Sequence, residues 1–470
     1  MFYTTIDKIN SNKDFLSAIG YFAREFNISK LLYKCNASKD HGIPVLDIFN
    51  YYMSFVFTGL SMYMQMATNS FNECFSKNTV YRFLNNAKTN WNKFVRLLSK
   101  AVIYEKIEYL TSPDNKKVFI IDDTTIEKPR SKKTELMSVV HDHTTGEFVH
   151  GFKLLGLGYS DGISFLPIEF NVHAGSSDRN ILCPPQECDK RTLAYARRQN
   201  AVKSKLEMSY SLLEKAQNDG IIADYVLVDS WFAQPSFITS VKKNLLIDVI
   251  CRLKRNEVKY MYNDEKLSIK EIYRTARKRP GKSTFLLSIQ SQLNYNDFIL
   301  PVKIIFVRNI NCKKDWVAIL STDTSLSEEE IIQLYQRRWD IECFFKVCKS
   351  YLKLVKGFRS LSFDTLNTHV AMVYARFIFL SLLRRCSEDK RTMGELFACV
   401  TEELKQRDVI EAIIKILKVS EAVLKETFHF TDEQYELYKK EMAASYDYFY
   451  VICQKILSLS QSIKRLPVPA

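Results

Sequence analysis

Two short apolar runs, each closed by acid, constrain this chain more than any other feature. In "VFIIDDTT" the residues Val118 to Ile121 deliver Asp122 and Asp123, and in "DYVLVDSWF" the residues Tyr225 to Val228 deliver Asp229. Runs of this length and composition read as buried strands. A carboxylate at the mouth of a buried strand is costly to desolvate unless it caps a helix, pairs, or binds a cation. An N-cap or turn residue explains one such strand. Two of them in one chain ask for a common purpose.

A third acid stands in "YQRRWDIECFFKVCKSYLKL", residues 335–354, a stretch otherwise crowded with bulky apolar and basic side chains. On a helical wheel started at Tyr335, Arg338 falls near about 300 degrees, Glu342 near about 340 and Lys349 near about 320. The four share one narrow polar stripe. Read alone, the stripe is an exposed row of charge neighbours, Arg338 and Glu342 forming an i, i+4 pair. The two upstream acid-terminated strands are what that reading leaves unexplained.

The texture of the chain changes along its length. Residues 1–112 carry helical spacing nearly throughout, interrupted by "SKNTVYRFLNN", and Lys77, Arg82, Lys88 and Lys93 there suit a DNA backbone. A turn cluster, "SPDNKK", ends this region. Residues 113–245 then read as strands, two of them around an Asp-Gly turn, followed by a long helix over 191–217 and the strand ending at Asp229. Residues 246–320 read as a β-rich insertion. From 321 the chain turns helical again, through 321–385 and a C-terminal region, 386–470.

Lys and Arg total 67 against 53 Asp and Glu, a formal charge of +14 that favours a polyanionic partner. The 11 cysteines are scattered without a C-x-x-C pair, as reduced thiols would be. Cys183 and Cys188 come nearest to a metal pair, but no second pair follows. His141, His143 and His150 have no carboxylate or cysteine at ligand spacing and read as turn or DNA-facing residues. The N-terminus lacks the pattern of a secretory signal. "HVAMVYARFIFLSLL" carries Arg376 and is too short to span a bilayer. The expectation is a soluble, cytoplasmic protein without a membrane partner.

Three carboxylates from two strands and a helix are what two-metal phosphoryl transfer requires. Mg²⁺ or Mn²⁺ takes oxygen ligands, and a metal pair about 4 Å apart activates the attacking oxygen and stabilises the leaving one. Arg338 and Lys349 would bind flanking phosphates, and Tyr335 would hydrogen-bond to or stack on DNA.

The spacing of Tyr335, Arg338, Glu342 and Lys349 resembles the YREK signature of DDE transposases of the insertion sequence 4 family. Asp123 before Thr124 and Thr125 resembles that family's first acid, and Asp229 its second. Asp122 competes with its neighbour for the first place, since successive strand residues point to opposite faces and only one can be the main ligand. Ser230 and Trp231 stand where some members carry arginine and glutamate, which makes Trp231 a base-stacking candidate or a core tryptophan.

What the resemblance implies is a ribonuclease-H-like α/β core interrupted by a β-rich insertion, with helical regions at both ends. Asp123, Asp229 and Glu342 would be the metal ligands of a site using two Mg²⁺ ions, and Tyr335, Arg338 and Lys349 would contact DNA. The implied reaction is cut-and-paste transposition: end nicking, hairpin formation and opening, then strand transfer. The implied partners are terminal inverted repeats, target DNA and a second copy of the chain on DNA, in a bacterial cytoplasm and on the nucleoid when bound. A structure-selective nuclease on the same core, or an inactive DNA-binding derivative, are the competing readings.

Overall fold

The helical spacing of the N-terminal region folds as short helices: α1 (Ala18–Glu25), α2 (Ile28–Lys34), α3 (Val45–Ser54), α4 (Met62–Ala67) and α5 (Lys77–Leu84). The computed structural model describes residues 17–59, 62–67, 76–142, 145–175, 178–279, 283–309, 312–356, 360–386, 391–438 and 440–441. The chain divides into two units, residues 1–83 with 378–470, and residues 84–377.

In the first unit the two ends of the chain pack together, where the sequence suggested separate terminal regions. Phe22 of α1 meets Phe379 edge-on at 5.4 Å, and Phe57 meets Phe397 at 4.9 Å. The Ala18 backbone N–H donates to Glu403 at 2.9 Å. Phe397 and Glu403 belong to a long helix, Met393–Ala422, which starts on a capping box: Thr392 Oγ accepts from the Glu395 N–H while the Glu395 carboxylate accepts from the Thr392 N–H.

The second unit opens with α6 (Trp91–Val102), whose Ser99 hydroxyl donates to the Pro167 carbonyl at 2.7 Å and whose Arg96 pairs with buried Glu169. These bonds tie α6 to the strand carrying Pro167 and Glu169. The unit boundary therefore falls at Phe83/Leu84 and not near residue 112. Lys77 and Arg82 lie on one side of it, Lys88 and Lys93 on the other. Lys77, Arg82 and Lys88 are exposed and Lys93 is half-buried.

The sheet of the second unit comprises β1 (Val118–Glu127), β2 (Ser138–His141), β3 (Phe148–Ser160), β4 (Phe165–His173), β5 (Tyr225–Val228), β6 (Asp248–Arg252), β7 (Lys259–Tyr262), β8 (Glu265–Ser268), β9 (Phe285–Tyr295), β10 (Phe298–Asn309) and β11 (Cys312–Ser321). Its order is β2-β3-β1-β5-β6-β11-β10-β9-β7-β8, with β4 also paired to β3. β1 runs antiparallel to β3 and parallel to β5, which runs parallel to β6. All other pairings are antiparallel. β6, which the sequence texture groups with the insertion, thus continues the sheet directly from β5. The four residues of β5 are all buried, which is why this strand reads as an unbroken apolar run.

The Asp-Gly turn joins β3 to β4. Gly162 adopts φ +89°, and Asp161 Oδ1 accepts the N–H groups of Ile163 and Ser164 at 2.9 and 2.6 Å. Across this hairpin Gly158 admits the Phe165 ring, whose Cζ would stand 2.1 Å from an added Cβ. Gly158→Val should therefore lower unfolding free energy by about 1–3 kcal/mol through overpacking. A urea titration at wild-type midpoint would contradict this packing.

The expected long helix over 191–217 is two helices, α7 (Leu193–Val202) and α8 (Lys205–Asn218). Lys203 is extended, and Ser204 begins the new helix by accepting the Glu207 N–H at 3.2 Å. Then follow α9 (Pro235–Ser240), α10 (Ile269–Thr275), α11 (Glu328–Gln336), α12 (Trp339–Ser350) and α13 (Phe363–Cys386). α13 is long and apolar enough to cross a membrane by length and composition, longer than the run read from sequence, but its apolar window is wholly buried in the protein. It serves as a core helix: Tyr374 packs on Phe170 and Phe344.

Candidate active site

The site starts at the centre of the sheet. β1 is buried through Ile121 and then opens, so Asp122, Asp123 and Thr124 are half-buried and line a cleft of about 760 Å³. The neighbouring parallel strand β5 ends at Asp229, which lines the same cleft. Asp229 Oδ1 accepts the backbone N–H of Trp231 at 2.8 Å and of Phe232 at 3.4 Å, turning the chain away from the strand. The third wall is α12, which contributes Glu342, Phe345, Lys346 and Lys349. Its approach to β1 depends on Gly156, the partner of Asp122 in β3: an added Cβ there would stand 3.1 Å from the Phe345 ring and 3.0 Å from the Tyr374 hydroxyl.

Tyr335, Arg338, Glu342 and Lys349 do not share one uninterrupted helix. α11 ends at Gln336, and Arg337 and Arg338 form a turn before α12, with the Arg338 N–H donating to the Tyr335 carbonyl at 3.1 Å. Both arginines keep right-handed backbone angles, so the polar stripe survives the break. Arg338 reaches two of the acids. Its Nη1 donates to Asp122 Oδ2 at 3.3 Å and its Nη2 to Glu342 Oε1 at 2.6 Å. Burial and the Asp229 carboxylate push the Asp122 carboxyl up to about 7, against the pull of Arg338.

Asp123 has different company. Its Oδ2 pairs with Lys205 Nζ at 2.5 Å, and Lys153 Nζ lies 3.9 Å from its Oδ1. Lys153 also donates to Thr125 Oγ at 3.0 Å, and burial lowers its pKa below the usual lysine range. Adjacent aspartates on one strand are thus divided: Asp122 faces Arg338 and the field of Asp229, and Asp123 faces two lysines. Trp231 lines the cleft with Lys205 Nζ 3.9 Å from its ring centroid, so one indole face is already capped by a cation.

Burial pushes the half-buried Tyr335 hydroxyl upward, with Arg338 opposing and Asp229 adding to the shift. Burial also lowers the Lys349 ammonium, against the pull of Asp142 and Glu127. His141 meets Phe148 edge-on at 5.1 Å, His150 is exposed on β3, and His143 lies outside the described residues. Cys183 donates to the Lys132 carbonyl, away from the cleft residues.

Asp122, Asp229 and Glu342 offer only carboxylate oxygens, the donors that hard divalent cations take. Crowding of Asp122 by Asp229 marks negative charge that a cation would relieve. Among the described residues no three His, Cys, Asp or Glu side chains form a ready-made ion cage, and Arg338 provides the positive charge between Asp122 and Glu342.

Residues 61–292 match the family model described as DDE superfamily endonuclease, and residues 203–382 match that of the transposase DDE domain. The first range holds Asp122, Asp123 and Asp229, and the second holds Asp229 and Glu342. The chain is an enzyme that cleaves and transfers DNA strands. Both matches support a transposase of the DDE type, from a superfamily that generally uses divalent metal ions. No curated protein matches the chain. Among solved structures, the Drosophila P element transposase strand transfer complex is similar at 10% identity and a TM-score of 0.24, over 81% of this chain and 70% of that one. Nothing about this enzyme follows from so slight a likeness.

Three cations of the enzyme's cleft stand outside the Tyr335, Arg338, Glu342 and Lys349 pattern: Lys205, Lys254 and Lys346. Lys346 was readable, since on the wheel it falls about 20 degrees beyond Tyr335 and so extends the stripe. Lys205 and Lys254 gave no such signal, because tertiary pairing brings them to the cleft.

Proposed function

We propose that this DDE enzyme is the cut-and-paste transposase of a bacterial insertion sequence of the insertion sequence 4 family, acting on a ribonuclease-H-like core. The observation that carries the reading is the convergence of Asp122, Asp229 and Glu342, from two adjacent strands and α12, on one cleft, with Arg338 linking the first acid to the third. The ribonuclease-H-like core is supported by the consecutive pairing β4-β3-β1-β5-β6, antiparallel on one side of β1 and parallel on the other.

Asp122, Asp229 and Glu342 would hold two Mg²⁺ ions, with Mn²⁺ as a substitute. When bound, the ions activate the attacking oxygen and stabilise the leaving one. Asp122 takes the place the sequence assigned by resemblance to Asp123, because Asp122 shares its surroundings with Asp229 and Glu342 while Asp123 is neutralised by lysines. Arg338 and Lys349 bind phosphates beside the scissile one, and Tyr335 orients the strand. End nicking, hairpin formation and opening, and strand transfer would follow in that order. Lys77, Arg82, Lys88 and Lys93 serve DNA-backbone contact at the terminal inverted repeats, two copies of the chain pair across the two ends, and the reaction takes place in the cytoplasm.

A labelled duplex spanning the DNA that borders the gene tests this. In Mg²⁺ the wild-type enzyme should nick at an inverted-repeat boundary and yield a hairpin, and EDTA should abolish both. Binding without cutting in either Mg²⁺ or Mn²⁺ would sink the catalytic reading. Cutting of branched DNA without end joining would replace it with a nuclease.

A further inference from the structure

Two residues of the cleft lining, Asp123 and Lys205, form a charge cluster with Lys153. One carboxylate here serves two ammonium groups, Lys205 at 2.5 Å and Lys153 at 3.9 Å, so the cluster carries a surplus positive charge. The two lysines are not equivalent. Lys153 has a second fixed partner in Thr125, whereas Lys205 lines the cleft and rests on the Trp231 face. Nearby His173 is pushed down to about 4 by burial and by Lys205, so it is neutral and competes for neither the carboxylate nor an anion.

We propose that Lys205 is a DNA-phosphate-binding residue of this cleft, held ready by Asp123 and Trp231 and released to a phosphodiester while Lys153 stays with Asp123. Removing one partner from a buried ion pair ordinarily leaves an uncompensated charge and is strongly disfavoured. Here Lys153 keeps Asp123 compensated when Lys205 moves, and the incoming phosphate compensates Lys205. The duplicated lysine thus makes the exchange feasible. The break between α7 and α8 serves the same end, since it starts α8 at Lys205. The inference rests on the DNA-strand-transfer reading of the cleft.

The test uses the full chain in EDTA and a fluorescein-labelled duplex from the DNA bordering the gene, with anisotropy followed across a NaCl series. Each phosphate contact contributes about 0.9 to the slope of log affinity against log salt. Lys205→Gln should flatten the slope by about one such unit and weaken binding by about five- to tenfold at moderate salt, and Lys205→Arg should restore both. Asp123→Asn should tighten metal-free binding, and that gain should vanish in the Lys205→Gln background. A folded Lys205→Gln protein with wild-type slope and affinity, or an Asp123→Asn gain that persists without Lys205, overturns the proposal. Cleavage of the same duplex in Mg²⁺ is scored separately. Its absence overturns the transposase reading, and the slope change then still decides the role of Lys205.

Discussion

Asp122→Asn should reduce strand cleavage by about a thousandfold or more, whereas Asp123→Asn should cost about 10- to 100-fold, the range for residues that support a metal-site group without being a ligand. The two side chains are consecutive on one strand and chemically identical, so the contrast isolates position. Asp122 stands with Arg338 and Asp229, and the neutral amide would remove the charge needed to hold a cation beside Asp229 and Glu342. Asp123 compensates Lys205 and Lys153, and its loss disturbs a neighbouring charge cluster. Glu342→Gln should match Asp122→Asn. Single-turnover cleavage of a labelled end fragment at saturating enzyme separates these losses from weakened binding. Equal losses at 122 and 123, or the larger loss at 123, reject the assignment.

Glu135→Gln should cost about 3–5 kcal/mol of stability, the range for breaking one side of a buried ion pair. The Glu135 carboxylate is buried and accepts four hydrogen bonds: Arg198 Nε at 2.6 Å and Nη2 at 3.0 Å, the Gln186 N–H at 2.7 Å and the Phe363 N–H at 3.0 Å. Phe363 is the first residue of α13, so the same carboxylate also sits at a helix N-terminus, where negative charge is favoured. An amide would turn one acceptor into a donor facing donors already present. Arg198 would keep Asp364 at 3.0 Å, which Arg197 shares. Urea unfolding followed by tryptophan fluorescence measures the loss, with exposed Glu147→Gln as the comparison expected to stay near wild type. A loss under about 1 kcal/mol would mean that this pair behaves like a surface salt bridge.

The acid-bearing strands β1 and β5 were legible because full burial leaves an uninterrupted apolar run, and the polar stripe because Arg338, in the turn before α12, keeps helical angles and so stays in phase with Glu342 and Lys349. The choice between Asp122 and Asp123 was not legible. Alternation says that the two point to opposite faces, but which face meets α12 depends on packing against residues more than two hundred positions away. The same holds for Lys205, whose partner Asp123 lies in another element, and for the pairing of both chain ends in one unit through Phe22 with Phe379. The breaks at Lys203–Ser204 and Arg337–Arg338 were hidden for another reason. Neither contains Gly or Pro, and the one signal present, Ser204 three residues before Glu207, is a helix-start pair that the continuous helical period overrode.

The dispersal of the three acids through the chain has a consequence for biosynthesis. β1 pairs with β5 across about a hundred residues, and Glu342 arrives only on α12, after all of β6 to β11 has been made. A ribosome translating this message therefore carries a growing chain with two acids and no third from the addition of Asp229 until that of Glu342. Any product terminated before Trp339 lacks the wall that completes the cleft, and with it α13 and the C-terminal residues on which Phe22 and Phe57 pack, so premature release should yield a chain that neither folds fully nor cuts DNA.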